Sequence, residues 1–412
     1  MTTTAKDPKQ YPVLRNLQFS PVKEGEEQYI VLWDPTGLSK EKLVLPLNYF
    51  FIVQHFDGEH SLNEIGGLYL KRFGEFLLPD KVSQLVADLD QKLFLEGARA
   101  EDARMKARDA YRTSPLRAAV FAGRSYEADG EKLKKQLDGF FTSKEGPDFK
   151  PSENQGKKIR GLVVPTYDLK QAGPVYAWGY KELQEADQPD VYIVFGTAYA
   201  GLQNLFAVTD KDFETPLGVV RTDRALVPQL KTRFPAAFEE DVCHQAEHAI
   251  EFQLPFLQHV VGTKKPFTIV PVLCAFSPLE FSDQTVRRSV DVFLAGLREI
   301  VAADGRAVCI VAAAELAHLG LRYGDKGPPT DFSFHRSMQH DLEMLKPVEE
   351  LKPDDFAAYI QKENDQRRIS GFSAIYSLLR LIQAEKGQVL RYDRGITDQY
   401  NSTVTYASMS FF

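Results

Sequence analysis

The sequence predicts an α/β protein, with a mixed central sheet covered by helices on both faces, preceded by a small winged-helix α+β domain. Three observations point there. From Leu116 onward short apolar strands alternate with amphipathic helices, and at that spacing the repeating unit is βαβ. Ahead of it the order is strand, strand, three helices and a return strand, which is a winged-helix pattern. Between the two, residues 98–115 are charged and rich in Ala and Arg (EDARMKARDAYRTS) and read as a linker helix. The domains are accordingly placed at 1–110 and 116–412.

In the first domain, Val13–Phe19 and Gln28–Trp33 read as strands joined by the polar turn Lys23-Glu24-Gly25-Glu26, and Asp34-Pro35-Thr36-Gly37 closes the second. Leu47–Phe56 follows Pro46 as an apolar helix ending at Asp57-Gly58. The next helix opens on a capping box, Ser61 with Glu64 three residues on, and stops near Gly74. The third opens at Asp80 and sets Val82, Leu85, Val86, Leu89 and Leu93 on one face. Leu95-Glu96-Gly97 begins the return strand. In the second domain the strands are Gly161–Pro165, Val191–Gly196, Phe267–Cys274 and Val308–Ala314, with helices near 129–141, 173–185, 247–261 and 283–302. Ligands of such sheets sit beyond the carboxyl ends of the strands. The segments 165–173, 196–205, 243–253 and 314–330 are therefore where a site is expected.

Composition narrows the function classes. The 412 residues are 43% hydrophobic and 26% charged, with a net charge of −7 and a pI near 5.7. Nucleic acid and anionic membranes require a basic face, and nothing here supplies one. No run is long and apolar enough to span a bilayer, and MTTTAKDPKQ has no apolar signal core, so the cytoplasm is the expected location. Cys243, Cys274 and Cys309 lack C-x-x-C spacing and read as buried reduced thiols. No G-x-G-x-x-G, G-x-x-x-x-G-K-[ST] or G-x-S-x-G is present.

Three segments carry possible chemistry. His244-Gln245-Ala246-Glu247-His248 matches H-x-x-E-H, in which two histidines on one helical face hold zinc beside a glutamate base. That chemistry needs a continuous helix through 244–248. The apolar periodicity of Ile250, Leu254 and Leu257 starts later, and Phe-Glu-Glu-Asp-Val-Cys before it is not a helix core, so a zinc protease is not expected. At the end of the 308–314 strand, Glu315 and His318 follow three alanines that let a ligand approach. Glu247, His248 and Glu251 open the next helical pattern, where a histidine can act as acid or base near neutral pH. Tyr176, Trp178 and Tyr180 read as packing.

Read together, the segments from Leu116 to the C-terminus resemble the Memo family, a branch of the class III extradiol dioxygenase superfold that includes AmmeMemoRadiSam system protein B. Arg117-Ala-Ala-Val-Phe-Ala-Gly-Arg-Ser-Tyr126 is similar to R-x-x-x-x-A-G-S/T-W/F-Y, and Val163-Val164-Pro165 followed by Gly173 to I-I-A-P-H-A-G-Y…G. Val191–Gly196 resembles the strand before G-P-S-H-H, and Thr215-Pro216-Leu217-Gly218 resembles T-P-L-G. Glu247–Phe256 is similar to E-H-S-I-E-x-x-L-P-F. Ile269–Leu273 is similar to I-V-P-V-L, and Ser402–Ser408 to S-V-S-Y-A-A/S.

The departures bear on function. Thr166 stands for the histidine of P-H-A-G-Y, followed by Tyr167-Asp168-Leu169. Gly196-Thr197-Ala198-Tyr199-Ala200 stands for G-P-S-H-H with neither histidine. Ala313–Gly320 stands for S-S-D-F-C-H-W-G without the cysteine, and Gly371-Phe372-Ser373-Ala374 stands for G-R-H-P. The resemblance thus implies no metal at the family position, because the His-His-Cys set is lost. It carries over His248, matching the superfamily's acid/base histidine, with Glu251 as second catalytic candidate. Glu247, Glu315, His318, Thr166 and Tyr199 line the expected pocket.

Residues 10–100 resemble PqqD-like domains, through F-D-G…S-L-x-E-I and L-x-x-x-L-D-x-K-x-F-L-E-G. That resemblance implies a peptide or protein strand as partner, added to a sheet edge. Memo-like proteins that occur with radical-SAM proteins imply such an enzyme as a further partner. Two readings follow. The first is a binding or scaffold component with a degenerate metal site and no cofactor. The second is a non-haem iron redox enzyme with a relocated site built from His248, His318 and Glu315, a two-histidine, one-carboxylate set.

Overall fold

The structure, a computed structural model, describes residues 7–412 apart from 26, 35, 36, 149–151, 153 and 155. The chain divides into two compact units, Met1–Thr113 and Ser114–Phe412.

The first unit contains β1 (Val13–Leu14), β2 (Gln18–Glu24), β3 (Glu27–Trp33), β4 (Lys42–Pro46), α1 (Leu47–Val53), α2 (Leu62–Phe73), α3 (Pro79–Gln91), β5 (Leu95–Glu96) and α4 (Ala98–Thr113). The expected strand Val13–Phe19 is broken. Arg15 turns inward to an ion pair with buried Asp34 at 3.0 Å, so β1 pairs with β5 while β2 joins the β2-β3-β4 sheet. β4 is an addition to the expected elements, hidden in the sequence because its Lys42-Leu-Val-Leu-Pro46 runs straight into α1. Ser61 and Glu64 form the capping box, and Gly74 ends α2 with φ +73°, a left-handed conformation suited to glycine. Glu26 of the expected hairpin turn, and Pro35 and Thr36 of the expected Asp34–Gly37 turn, lie outside the described residues. Ile30, Leu32, Ile52, Ile65, Val82 and Leu89 are among the side chains that fill this unit's own core.

The second unit follows the α/β expectation. In chain order it contains β6 (Leu116–Arg117), α5 (Gly130–Thr142), β7 (Gly161–Val164), α6 (Leu169–Glu185), β8 (Val191–Thr197), β9 (Phe206–Val208), β10 (Asp212–Thr215), β11 (Gly218–Thr222), α7 (Leu226–Arg233) and α8 (Gln253–Leu257). It continues with β12 (Thr268–Cys274), α9 (Gln284–Asp304), β13 (Val308–Ala313), β14 (His318–Leu319), α10 (Asp331–Glu349), α11 (Pro353–Lys362), α12 (Phe372–Leu381), β15 (Gly387–Ile396) and β16 (Thr403–Phe411). One sheet runs β14-β16-β7-β13-β8-β12-β11-β10-β6, with β15 on β16 and β9 on β12. Its centre, β7 to β11, is parallel and its β16 side antiparallel.

Alternation along β8 shows how the sheet is covered. Val191, Ile193 and Phe195 point into a core shared with α7, α9, α10, α11 and α12, whereas Tyr192 and Val194 face α5, α6 and α8. Every residue of β8 is buried, as expected of a central parallel strand. Gly179 lets α6 lie close on the sheet, since a Cβ there would come within 2.8 Å of Val164. Among the described residues no helix is long and apolar enough to cross a membrane. Cys274 and Cys309 are buried, and burial pushes both thiols up, but Cys243 is only half-buried, contrary to expectation.

The expected helix over 247–261 is the main local correction. The chain forms a 3₁₀ turn over Asp241–Gln245, leaves it at Ala246, and enters α8 only at Gln253, with a π turn over Gln258–Gly262. The Glu247 carboxylate accepts the backbone N–H groups of His248 (2.8 Å) and Ala249 (3.4 Å), and the chain passes through turns at 249–252 before α8 begins.

Candidate functional site

The carboxyl ends of β7, β8 and β13 bring the candidate residues to one side of the sheet. Beyond β7, Thr166 is completely buried. Beyond β8, Tyr199 exposes 39% of its surface, yet its hydroxyl lies 2.6 Å from the Thr166 hydroxyl. The Tyr199 ring stacks on the His248 imidazole, with centroids 5.0 Å apart and planes 20° from parallel. Phe252 at 5.1 Å and Phe121 at 5.8 Å complete an aromatic wall around that imidazole.

Glu247 fixes this arrangement. Its Oε2 accepts the Tyr199 N–H at 2.9 Å, and its Oε1 lies 2.9 Å from His248 Nδ1. Nδ1 is thereby the donor to a carboxylate, and Nε2 has no hydrogen-bond partner among the described residues, in a side chain that is 26% exposed. Burial works against charge on His248, but the Glu247 carboxylate, helped by Glu315 and Glu251, outweighs it and raises the imidazole above its ordinary value. Glu247 is held down in return: burial opposes its charge and His248 overrides that. Burial, reinforced by Glu315, pushes the Tyr199 hydroxyl well up, so it stays protonated.

Beyond β13, Glu315 and His318 form a second carboxylate–imidazole pair at 3.2 Å. His318 Nδ1 faces the carbonyls of Arg368 (3.0 Å) and Leu316 (3.2 Å), so both ring nitrogens are committed. The segment carrying this pair is clamped. The His318 N–H donates to Arg367 O at 2.7 Å, and Ala317 N–H donates to the Thr405 hydroxyl at 2.8 Å. Thr405 in turn donates to Asp341, which is ion-paired with Arg367. A Cβ on Gly371, the position before α12, would meet Glu315 O at 2.4 Å, so only glycine lets α12 start there.

His248 and His318 are thus linked through Glu315, whose charge acts on the Tyr199–His248 stack. Glu251 belongs elsewhere. It is completely buried, ion-paired with Arg117, and accepts from Tyr126 OH (2.5 Å), Phe121 N (2.9 Å) and Val120 N (3.3 Å). Arg117 also donates to the carbonyls of His244 (3.0 Å) and Glu247 (2.8 Å). A carboxylate that is completely buried and already accepts from four donors holds structure together. The family-like motif includes Arg117 and Tyr126, but neither their convergence on Glu251 nor the Asp341–Arg367 pair is signalled, because no local spacing links residues so far apart in the chain.

His244 does not join His248 on a helical face. It is buried, and its Nε2 donates to Ala207 O at 3.0 Å. Among the described residues no three His, Cys, Asp or Glu side chains group as a metal set, so the relocated set His248, His318 and Glu315 is not assembled. The positions that the resemblance matches to the family's metal ligands do not fit a divalent metal either. The Thr166 hydroxyl is spent on Tyr199, and Ala198, Ala200 and Ala317 offer no side-chain donor. What the site offers is one imidazole nitrogen, a tyrosine ring face and an apolar wall.

Comparison with known proteins agrees with this architecture. The family model described as Memo-like protein matches residues 117–410. A MEMO1 family protein of Aquifex aeolicus is 24% identical over 386 residues, covering 93% of this chain and 96% of the relative, so the match extends into the N-terminal unit. One of Methanopyrus kandleri is 27% identical over 300 residues, covering 72% and 98%. One of Saccharolobus islandicus is 35% identical over 171 residues, covering 40% and 60%. With the family model spanning nearly the whole second unit, the chain belongs to the Memo-like protein family.

Proposed function

We propose that this Memo-like protein is a binding component of a peptide- or protein-modifying system, with a radical-SAM enzyme as its partner, and that its strand-end pocket works without the family's metal. The observation that carries the reading is the Thr166–Tyr199 hydrogen bond. It joins two side chains at inherited ligand positions and leaves His248 stacked behind a tyrosine ring instead of facing a metal. In such a pocket Glu247 holds Nδ1, so His248 presents Nε2 to a polar group of the bound molecule, and Phe121, Phe252 and Tyr199 take its apolar part. The redox alternative requires His248, His318 and Glu315 to converge, and His318 is instead committed on both nitrogens.

The N-terminal unit takes an extended strand in this reading. A sheet edge offers N–H and C=O groups to such a partner. Among the described residues β4 pairs only with β3, and its Val44 is 56% exposed. The opposite edge, β2, has Pro21 at its middle, a residue with no N–H to give. The expected result is position-specific. With the photo-reactive residue p-benzoylphenylalanine at position 44, illumination of cells that make the protein should capture an extended peptide segment, identified by mass spectrometry. The same residue at position 22 should capture it weakly. No capture at 44, or equal capture at both positions, would overturn the strand-addition reading.

A further inference from the structure

Outside the strand-end pocket, the first unit holds a pair of histidines that the proposed function does not use. His55 follows α1 and His60 precedes the Ser61 cap of α2. Their rings lie 5.7 Å apart, centroid to centroid, with planes at 89°. Two imidazoles binding one ion through nitrogens ~2.0–2.1 Å from it have centroids at about this separation.

The protonation pattern is the second observation. His55 Nδ1 lies 2.7 Å from Phe51 O, and His60 Nδ1 lies 2.8 Å from Asp57 Oδ2. A carbonyl and a carboxylate both only accept, so each Nδ1 carries the proton. That leaves the lone pair of each neutral ring on Nε2, and neither Nε2 has a partner among the described residues. A hydrogen bond from one ring nitrogen to a carbonyl or carboxylate is what orients metal-binding histidines and raises the basicity of the other nitrogen.

Asp57 is itself rigidly placed. Its Oδ1 accepts the backbone N–H groups of Glu59 (2.8 Å) and His60 (3.0 Å), while Oδ2 meets the His60 ring. His55 is fixed from the other side by Phe51, whose ring is 4.6 Å away. Both imidazoles are therefore pre-oriented, and the His60 side chain is 40% exposed, which gives an ion a way in.

We propose that His55 and His60 form a surface site for a borderline divalent transition-metal ion, Zn2+ or Ni2+, which ties the end of α1 to the start of α2. Two imidazole nitrogens favour such ions over Mg2+ or Ca2+, which prefer oxygen ligands. Water completes the coordination, since no third His, Cys, Asp or Glu joins the pair among the described residues.

The test uses the untagged full chain, stripped with chelator and dialysed, with Zn2+ added during histidine-selective NMR and Ni2+ in a parallel titration. The ring signals of His55 and His60 should move together and saturate near one equivalent. His60→Gln should abolish the movement at His55, and His55→Gln the movement at His60. Asp57→Asn, which loses the carboxylate behind His60, should weaken binding about 10–100-fold. Signals that stay put, or a His55 response that survives His60→Gln, would overturn the site. Zn2+ seen instead at His248 or His318 would count against the proposed function, and the His55 and His60 signals would still decide this one.

Discussion

Glu251→Ala should destabilise the Memo-like unit by about 3–5 kcal/mol, the usual cost of removing one partner from a buried ion pair. The large value follows from what is left behind. Arg117 is 1% exposed and would keep its charge with no counter-ion. Tyr126 OH and the N–H of Phe121 would lose their acceptor. Tyr126→Phe removes one of several donors and leaves the pair intact, so it should cost only about 1 kcal/mol. The two tryptophans make this measurable. Trp33 reports on the first unit and Trp178, in α6, on the second, so a Trp33→Phe background followed in urea isolates the second transition. Equal small effects for the two substitutions would show that Glu251 is not the anchor of the 117–126 and 244–251 segments. Because Arg117 also holds the carbonyls of His244 and Glu247, loss of the anchor should loosen His248 as well.

His244 gives the chain a steep loss of stability in mild acid. Burial lowers this histidine to about 4 from its ordinary 6.5, helped by the charge of Arg117 and opposed by Ala207 O and Glu247. Between those values the unfolded chain binds a proton that the native protein refuses, so stability falls as pH falls through that window. At about 1.4 kcal/mol for each pH unit crossed, the loss amounts to roughly 3 kcal/mol by pH 4. Other groups have their own signs. Glu247, held below its ordinary value, contributes stability that is present at neutral pH and lost as pH falls further. His248, raised, contributes most below the ordinary histidine value and loses that contribution as pH rises through its own. The difference between wild type and His244→Gln isolates one residue. Urea midpoints from pH 7 to 4 should diverge from the variant's by the stated amount, whereas parallel curves would contradict the assignment.

How far the sequence discloses this molecule depends on burial. β7, β8, β12 and β13 are legible because strands covered on both faces are unbroken apolar runs, such as Val191–Phe195. β10, β11 and β15 are not, because Asp212-Phe-Glu-Thr215 and Gly387–Ile396 mix charges with apolar residues at partly covered positions. α10 and α11 are equally hidden, being amphipathic helices whose charges mask their period. The 247–261 segment misleads for a different reason. Ile250, Leu254 and Leu257 have helical spacing, but Glu247 and Glu251 tie this segment to Tyr199, Arg117 and Tyr126, and a pattern of apolar residues does not register such distant contacts. In the site, Thr166, Tyr199, His248, Glu315 and His318 are legible by their positions beyond strands and by the family pattern. Their grouping into two carboxylate–imidazole pairs is not, since Tyr199 holds Glu247 while Thr405 and Arg367 hold the 315–318 segment, all from distant parts of the chain.

In the function we propose, Thr166 and Tyr199 close the position matched to the family's metal site and leave His248 as a carboxylate-backed imidazole. Histidine-selective NMR of chelator-treated protein tests it directly, with a pH titration run before and after one equivalent of Fe(II) or Zn(II). The expected result is a His248 ring that titrates above the ordinary histidine value, falls on Glu247→Gln, and is unmoved by either ion. One equivalent of metal that depresses the His248 titration, and is released by His248→Ala or His318→Ala, would contradict it.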